Sequence, residues 1–267
     1  MTLIRTTILI LGVGIPVAVV AGPAVKIPND TFNVGKVIQN ATTTHSFWIK
    51  SVGDDTLRII EVVPGCGCTQ MPLTDSVLAP GDSTRLDIIF STKSFVGNVQ
   101  KHPYLQVNTP AERVGVTIQS EILVQPETAT PLIVQPWRVD VSQFTVQPRR
   151  RSVFQIVNKS DRELELRVAD TAFKSFSVQL PTRIAPSATA QGVVIVNKDR
   201  IKTAFKESFT FRVRGGGTSD FYTVPVERLY RIKDSAAAVG AKRKASIPPH
   251  LFLVCVNAES ALIAPHV

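Results

Sequence analysis

Ser83-Thr84-Arg85-Leu86-Asp87-Ile88-Ile89-Phe90 alternates polar and apolar residues with a period of two. That is the pattern of a strand with one face on a core and one toward water. Ala79-Pro80-Gly81-Asp82 stands in front of it, with turn chemistry that ends whatever precedes. Working outward, the same grammar repeats. Thr31 to Val37, His45 to Lys50, Thr56 to Val63, Tyr104 to Val107 and Arg113 to Ile118 read as strands, separated by turns at Val52-Gly53-Asp54-Asp55 and Asn108-Thr109-Pro110. So many short strands in about 100 residues predict an antiparallel β-sandwich of immunoglobulin type.

The second half of the chain repeats the plan. Phe144-Thr145-Val146 is expected to open it. Ser152 to Asn158, Glu163 to Val168, Gln191 to Val196, Phe209 to Val213 and Phe221 to Val226 follow as strands. Gly215-Gly216-Gly217 reads as a hairpin tip. The fold class expected is therefore all-β: two tandem immunoglobulin-like antiparallel β-sandwiches. Residues 25–125 form the first, 126–137 a proline-stiffened linker, and 138–232 the second. Trp137 is expected to pack in a core. A low-information tail, 233–267, is expected to be disordered; it carries Lys242-Arg243-Lys244 and the third cysteine, Cys255.

The first 24 residues read as an export signal. Arg5 supplies the positive end, Ile8 to Val20 the apolar run, and small residues allow cleavage after Ala21 or Ala24. The alternative is an uncleaved anchor stretched to Val25, against which Gly12, Gly14 and Pro16 argue. Export places the protein in the periplasm or another extracytoplasmic space, where disulfides persist.

Charge is unevenly placed. Lys26 to Thr130 carries 8 basic and 10 acidic residues, whereas Pro131 to Ile232 carries 17 basic and 9 acidic. The second half thus holds nearly all of the formal charge of +9. Outside the cytosol, a basic domain points to an envelope protein or an anionic polymer, not to nucleic acid. Contact with the membrane is expected only through an uncleaved signal.

Cys66-Gly67-Cys68-Thr69 is the chain's one chemically pointed motif. Four readings are open. Gly67 lets the two sulfurs approach, so Cys66 and Cys68 can close a local disulfide. They can hold a soft metal, copper above all, with Met71 as a thioether ligand and His45 or His102 as further donors. They can act as a redox pair, although that chemistry favours Cys-x-x-Cys at a helix start. Or they can end a strand as small packed side chains. Nothing else suggests catalysis. The chain has no His-Glu-x-x-His, no Gly-x-Ser-x-Gly and no spaced cluster of carboxylates. A non-enzyme without a cofactor is expected, with a copper-binding or thiol-redox protein as the alternative.

Phe32-Asn33-Val34-Gly35, Phe47-Trp48-Ile49-Lys50-Ser51-Val52-Gly53, Leu57-Arg58-Ile59, the Cys-Gly-Cys-Thr box and Ala79-Pro80-Gly81-Asp82 occur in that order. Together they resemble a bacterial exported family of unknown function marked by this box. That family is similar to immunoglobulin-like domains of the ASH/Hydin and major-sperm-protein type. The resemblance covers Ile27 to Val124. It departs at Ser51-Val52-Gly53, where the family strand usually ends in asparagine-x-glycine. It implies the fold, export and a non-catalytic habit, and it names no substrate.

Overall fold

The computed structural model describes residues 22–145, 147, 149–169, 173–215 and 218–231. The expected export signal up to residue 21, the expected tail from 232 and Cys255 lie outside the described residues.

The first half contributes β1 (Val25–Lys26), β2 (Thr31–Ile38), β3 (Thr42–Ser51), β4 (Leu57–Val63), β5 (Thr69–Gln70), β6 (Val77–Leu78), β7 (Ser83–Ser91), β8 (Gly97–Lys101), β9 (Tyr104–Val107), β10 (Arg113–Gly115) and β11 (Thr117–Leu123). One sheet runs β1-β3-β7-β5 and a second β10-β9-β4-β6. In β7 the period of two holds throughout: Thr84, Leu86, Ile88 and Phe90 are buried, while Ser83, Arg85, Asp87 and Ile89 face outward. Phe47 and Ile49 of β3 lie opposite Leu86 and Thr84 and join the same core, with Phe32, Val34 and Ile118.

The second half contributes β12 (Leu132–Gln135), β13 (Val139–Asp140), β14 (Arg151–Asn158), β15 (Leu164–Val168), β16 (Phe176–Gln179), β17 (Arg183–Ile184), β18 (Thr189–Val196), β19 (Phe205–Gly215) and β20 (Thr218–Arg228). One sheet runs β12-β14-β18-β16. Its partner contains the β19–β20 pair, registered as far as Gly215 opposite Thr218; Gly216 and Gly217, read from sequence as the hairpin tip, lie outside the described residues. Phe154, Ile156, Phe209, Phe211, Tyr222 and Val224 fill the second core.

Three features differ from the sequence reading. Residues 126–137 are mostly not a linker. Pro126–Thr128 form a short 3-10 turn, Leu132–Gln135 pair with β14, and Trp137 is buried with its indole N–H donating to Thr223 O at 3.0 Å. The second sandwich therefore opens at Leu132, while Phe144 is exposed. Residues 22–24, expected at the end of the leader, are packed: Gly22 N–H donates to Asp54 Oδ1 at 2.8 Å and Val52 N–H to Ala24 O at 2.9 Å.

The third difference concerns the joint between the halves. They share one sheet, ordered β17-β15-β19-β20-β2-β11-β8. The sandwiches are mainly antiparallel, but β2 runs parallel to β11 and to β20, and β13 parallel to β20. The seam is Lys36 opposite Tyr222. A bulge sets it up: Asn33 and Gly35 pair with successive residues of β11, leaving Val34 as the extra residue. The Val34 carbonyl accepts from Thr223 Oγ1 at 2.6 Å, so the group displaced from the ladder is satisfied across the joint. Gly35 sits at φ +63°, and its backbone approaches Phe221 so closely that an added Cβ would meet the Phe221 carbonyl. Lys36 Nζ pairs with Asp220 at 3.1 Å and Glu121 at 3.5 Å. Thr44 and Ser208 exchange hydrogen bonds at 3.0 and 3.4 Å, and Arg138 donates to the Asn40 carbonyl at 2.7 Å.

Candidate functional site

The Cys-Gly-Cys-Thr box lies where the chain crosses between sheets. β4 ends at Val63 in one sheet, and Thr69 starts β5 at the edge of the other, opposite Phe90. Cys66 and Cys68 are joined as a disulfide with their Cα atoms 5.2 Å apart. Cys68 is 5% exposed and belongs to the first core, Cys66 is half-buried against it, and Gly67 is exposed. Local hydrogen bonds hold the turn. Thr69 N–H donates to Cys66 O at 3.3 Å, Ser91 N–H to Cys68 O at 2.8 Å, and Lys93 Nζ to Gly67 O at 3.3 Å. The Thr69 hydroxyl is 3.6 and 3.8 Å from the two sulfurs.

The other sequence-proposed metal donors are placed differently. Met71 is 7% exposed, inside the first core. His45 lies flat on Phe32 at 4.6 Å between ring centres and edge-on to Phe47. His102 Nδ1 is 3.5 Å from Thr117 Oγ1. Among the described residues, no three His, Cys, Asp or Glu side chains gather in a metal-binding group.

The box acts as a clasp on a crossover. A bond that bridges one intervening residue constrains the unfolded chain little, on the order of 1–2 kcal/mol by loop-closure entropy. The backbone bonds from Thr69 and Ser91 do not depend on it. Reduction is therefore expected to leave the fold intact and lower the unfolding free energy by about 1–2 kcal/mol. Urea titration with and without reductant checks this, and unfolding on reduction alone would count against the clasp reading.

A second feature lies at the joint. A trough of about 800 Å³ runs between the halves, lined by Asn29, Asp30, His45, Trp48 and Lys50 from the first and by Ala169, Thr210 and Phe221 from the second. Trp48 is 56% exposed there. Its position follows from strand parity: Phe47 and Ile49 point into the core, so Trp48 and Lys50 point out. The trough meets a further groove of about 600 Å³, with which it shares Asn29, Ala169 and Phe221 and which is lined by Glu165, Arg167, Arg212 and Arg214. Arg167 and Arg212 are direct partners across β15 and β19, so their side chains share a face, and Arg214 stands one pleat along. Arg167 is held by Glu165 at 2.6 Å, and the Arg212 guanidinium sits 5.6 Å from the centre of the Phe221 ring.

Residue-type motifs missed this trough, because its groups come from distant segments of the chain. The parity signal was nevertheless present at Trp48, and again at Arg212 and Arg214, which alternate with the buried Phe211 and Val213.

No curated protein matches the chain. Among solved structures, it is similar to a protein of unknown function from Porphyromonas gingivalis W83, at 11% identity over 76% of this chain and 98% of that one, with a TM-score of 0.32. It is also similar to the ASH/PapD-like domain 7 of human CEP192, at 9% identity over 46% of this chain and 98% of that domain, with a TM-score of 0.32. Residues 25–122, which hold the first sandwich and its Cys-Gly-Cys-Thr box, match the family described as "Protein of unknown function (DUF1573)".

Proposed function

We propose that this protein is an exported, non-enzymatic binding or scaffold module of the cell envelope, which receives its partner in the trough between the two sandwiches. The leader sequence supports export. The observation that carries the binding reading is Trp48, a large aromatic ring presented to solvent on the wall of an open trough whose two sides are fixed to each other by a shared sheet. Large exposed rings beside convergent polar groups are a signature of recognition surfaces. A fixed trough also loses little entropy on binding. The partner classes suggested by charge are an envelope protein or an anionic polymer.

The copper or thiol-redox alternative draws no support from the arrangement. The two sulfurs are bonded to each other and Met71 faces the core.

Affinity capture from envelope extract with the wild type and with Trp48→Glu tests the reading. Because Trp48 is exposed, the variant is expected to unfold within about 0.5 kcal/mol of wild type. It is expected to lose a partner that the wild type retains. Identical capture by both proteins would contradict a binding role for the trough.

A further inference from the structure

We propose that the trough takes up an extended, acidic segment of a partner protein, which adds as a short antiparallel strand to the open edge of β3 at Ser46–Trp48; this rests on the trough being the binding site. Three observations support it.

The first is a free sheet edge. β7 pairs with one side of β3 from Thr42 to Lys50, whereas β1 covers the other side only at Lys50 and Ser51. The two ends of that second side fix the direction of its main-chain groups. Val52 N–H donates to Ala24 O and Thr44 N–H to Ser208 Oγ, while Ser51 N–H donates to Asp82 O on the β7 side. Strand parity therefore aims the N–H and C=O groups of Ser46 and Trp48 into the trough, whose wall both residues form. Among the described residues, no strand pairs with them there. Continued in register, β1 would set Pro28 opposite Trp48, but proline has no N–H to give and the chain crosses instead to β2. On the facing wall β2 is paired with β20 only at Lys36, yet its Val34 carbonyl and Gly35 N–H are already taken, by Thr223 Oγ1 and Asn33 Oδ1.

The second is the shape around that edge. A strand edge open to bulk solvent invites any other sheet edge. This one is closed at both ends, by β1 at Lys50 and by Ser208 at Thr44, and Ala169, Thr210 and Phe221 of the second sandwich stand across the trough from it. The edge of a folded sheet, such as that of a second copy, carries a further strand about 4.8 Å behind it and is kept out. A lone extended chain has nothing behind it and fits. Ser46 and Trp48 offer it two donors and two acceptors.

The third is side-chain chemistry. Residues directly opposite each other in an antiparallel pair share a face. A segment residue opposite Phe47 therefore turns toward the trough floor, where Phe32, His45 and Phe47 pack ring on ring, and an apolar side chain suits it. Residues opposite Ser46 and Trp48 turn outward, to the side of Trp48 and Lys50. The joined grooves carry Lys50, Arg167, Arg212 and Arg214 against the two carboxylates Asp30 and Glu165, so acidic side chains suit the outward positions.

The test is fluorescence polarisation with an end-capped octapeptide that alternates glutamate and valine. Three altered peptides serve as comparisons: one with lysine for glutamate, one N-methylated at every glutamate and one N-methylated at every valine. The glutamate peptide is expected to bind, more weakly as salt rises, and the lysine peptide to bind at least about tenfold more weakly. With valines on the floor, the glutamate amides face β3. Methylating them is expected to weaken binding by roughly tenfold or more, and methylating the valine amides by less than about threefold. Trp48→Pro removes an edge N–H without touching the ladder to β7, and is expected to weaken binding further than Trp48→Ala does. The methylated peptides probe the same bonds on the wild-type protein, whatever the fate of the proline variant. No binding of the glutamate peptide at low salt overturns the proposal. So do equal effects of the two methylations, or equal binding of the lysine peptide. If envelope capture depends on Trp48 but survives protease treatment of the extract, or no peptide is bound, the binding role of the trough stands and the strand assignment fails.

Discussion

Gly35→Ala is expected to destabilise the protein by at least about 3 kcal/mol and to uncouple its two halves. Two effects add. At φ +63° an alanine is strained by about 1 kcal/mol. The larger effect is steric, because the new Cβ would occupy the place of the Phe221 backbone carbonyl, and neither main chain can yield without opening the seam. Opening it would remove the Lys36–Tyr222 pairing and strand the Val34 carbonyl, which Thr223 now satisfies. Chemical denaturation is expected to show a lower midpoint and a transition that broadens or splits. Gly67→Ala is the matched control. Nothing lies within 4 Å of the position its Cβ would take, so a change within about 0.5 kcal/mol is expected, although Gly67 sits between the two bonded cysteines. Equal effects at the two glycines would remove the steric account of the joint.

Arg228→Met is expected to cost about 3–5 kcal/mol. Arg228 is 1% exposed, and burial lowers its pKa from the ordinary arginine value. Its guanidinium donates to the carbonyls of Ile201, Val141 and Arg149 and to Gln143 Oε1. It thereby ties the end of β20 to the segment after β13 and to the turn after Lys198–Arg200. Methionine fills much of the volume but leaves these acceptors buried without donors, and each stranded acceptor costs about 1–3 kcal/mol. Arg228→Lys is expected to recover only part of the loss, since an ammonium cannot reach several carbonyls in one plane as the guanidinium fork does. Urea unfolding of the three proteins measures this. A methionine variant as stable as wild type would show that the carbonyl cage does not depend on the cation.

The strands with strict alternation were legible because parity is a local property: β3, β7 and β15 appear where the sequence places them. Very short strands such as β5 and β6, and edge strands such as β8 and β16, were not, because so few residues carry no period. They exist through the neighbour they pair with. Leu132–Gln135 was hidden for a related reason. Two prolines flank it, and only pairing with β14 makes it a strand. The shared sheet was invisible because its seam is a contact between residues 36 and 222. The one local trace was Gly35, within Phe32-Asn33-Val34-Gly35, and that glycine is required by a carbonyl far along the chain. Similarly, the box was legible as a motif, but that Met71 faces the core followed only from the fold. Arg228 reads in sequence as one more basic residue; its burial depends on three separate segments converging.

Calorimetric unfolding of the wild-type protein tests most directly the claim that the two sandwiches form one body and so hold a fixed trough between them. A single transition is predicted, with calorimetric and van't Hoff enthalpies in agreement, and it should split or broaden in Gly35→Ala. Two independent transitions in the wild type, unchanged by Gly35→Ala, would contradict it.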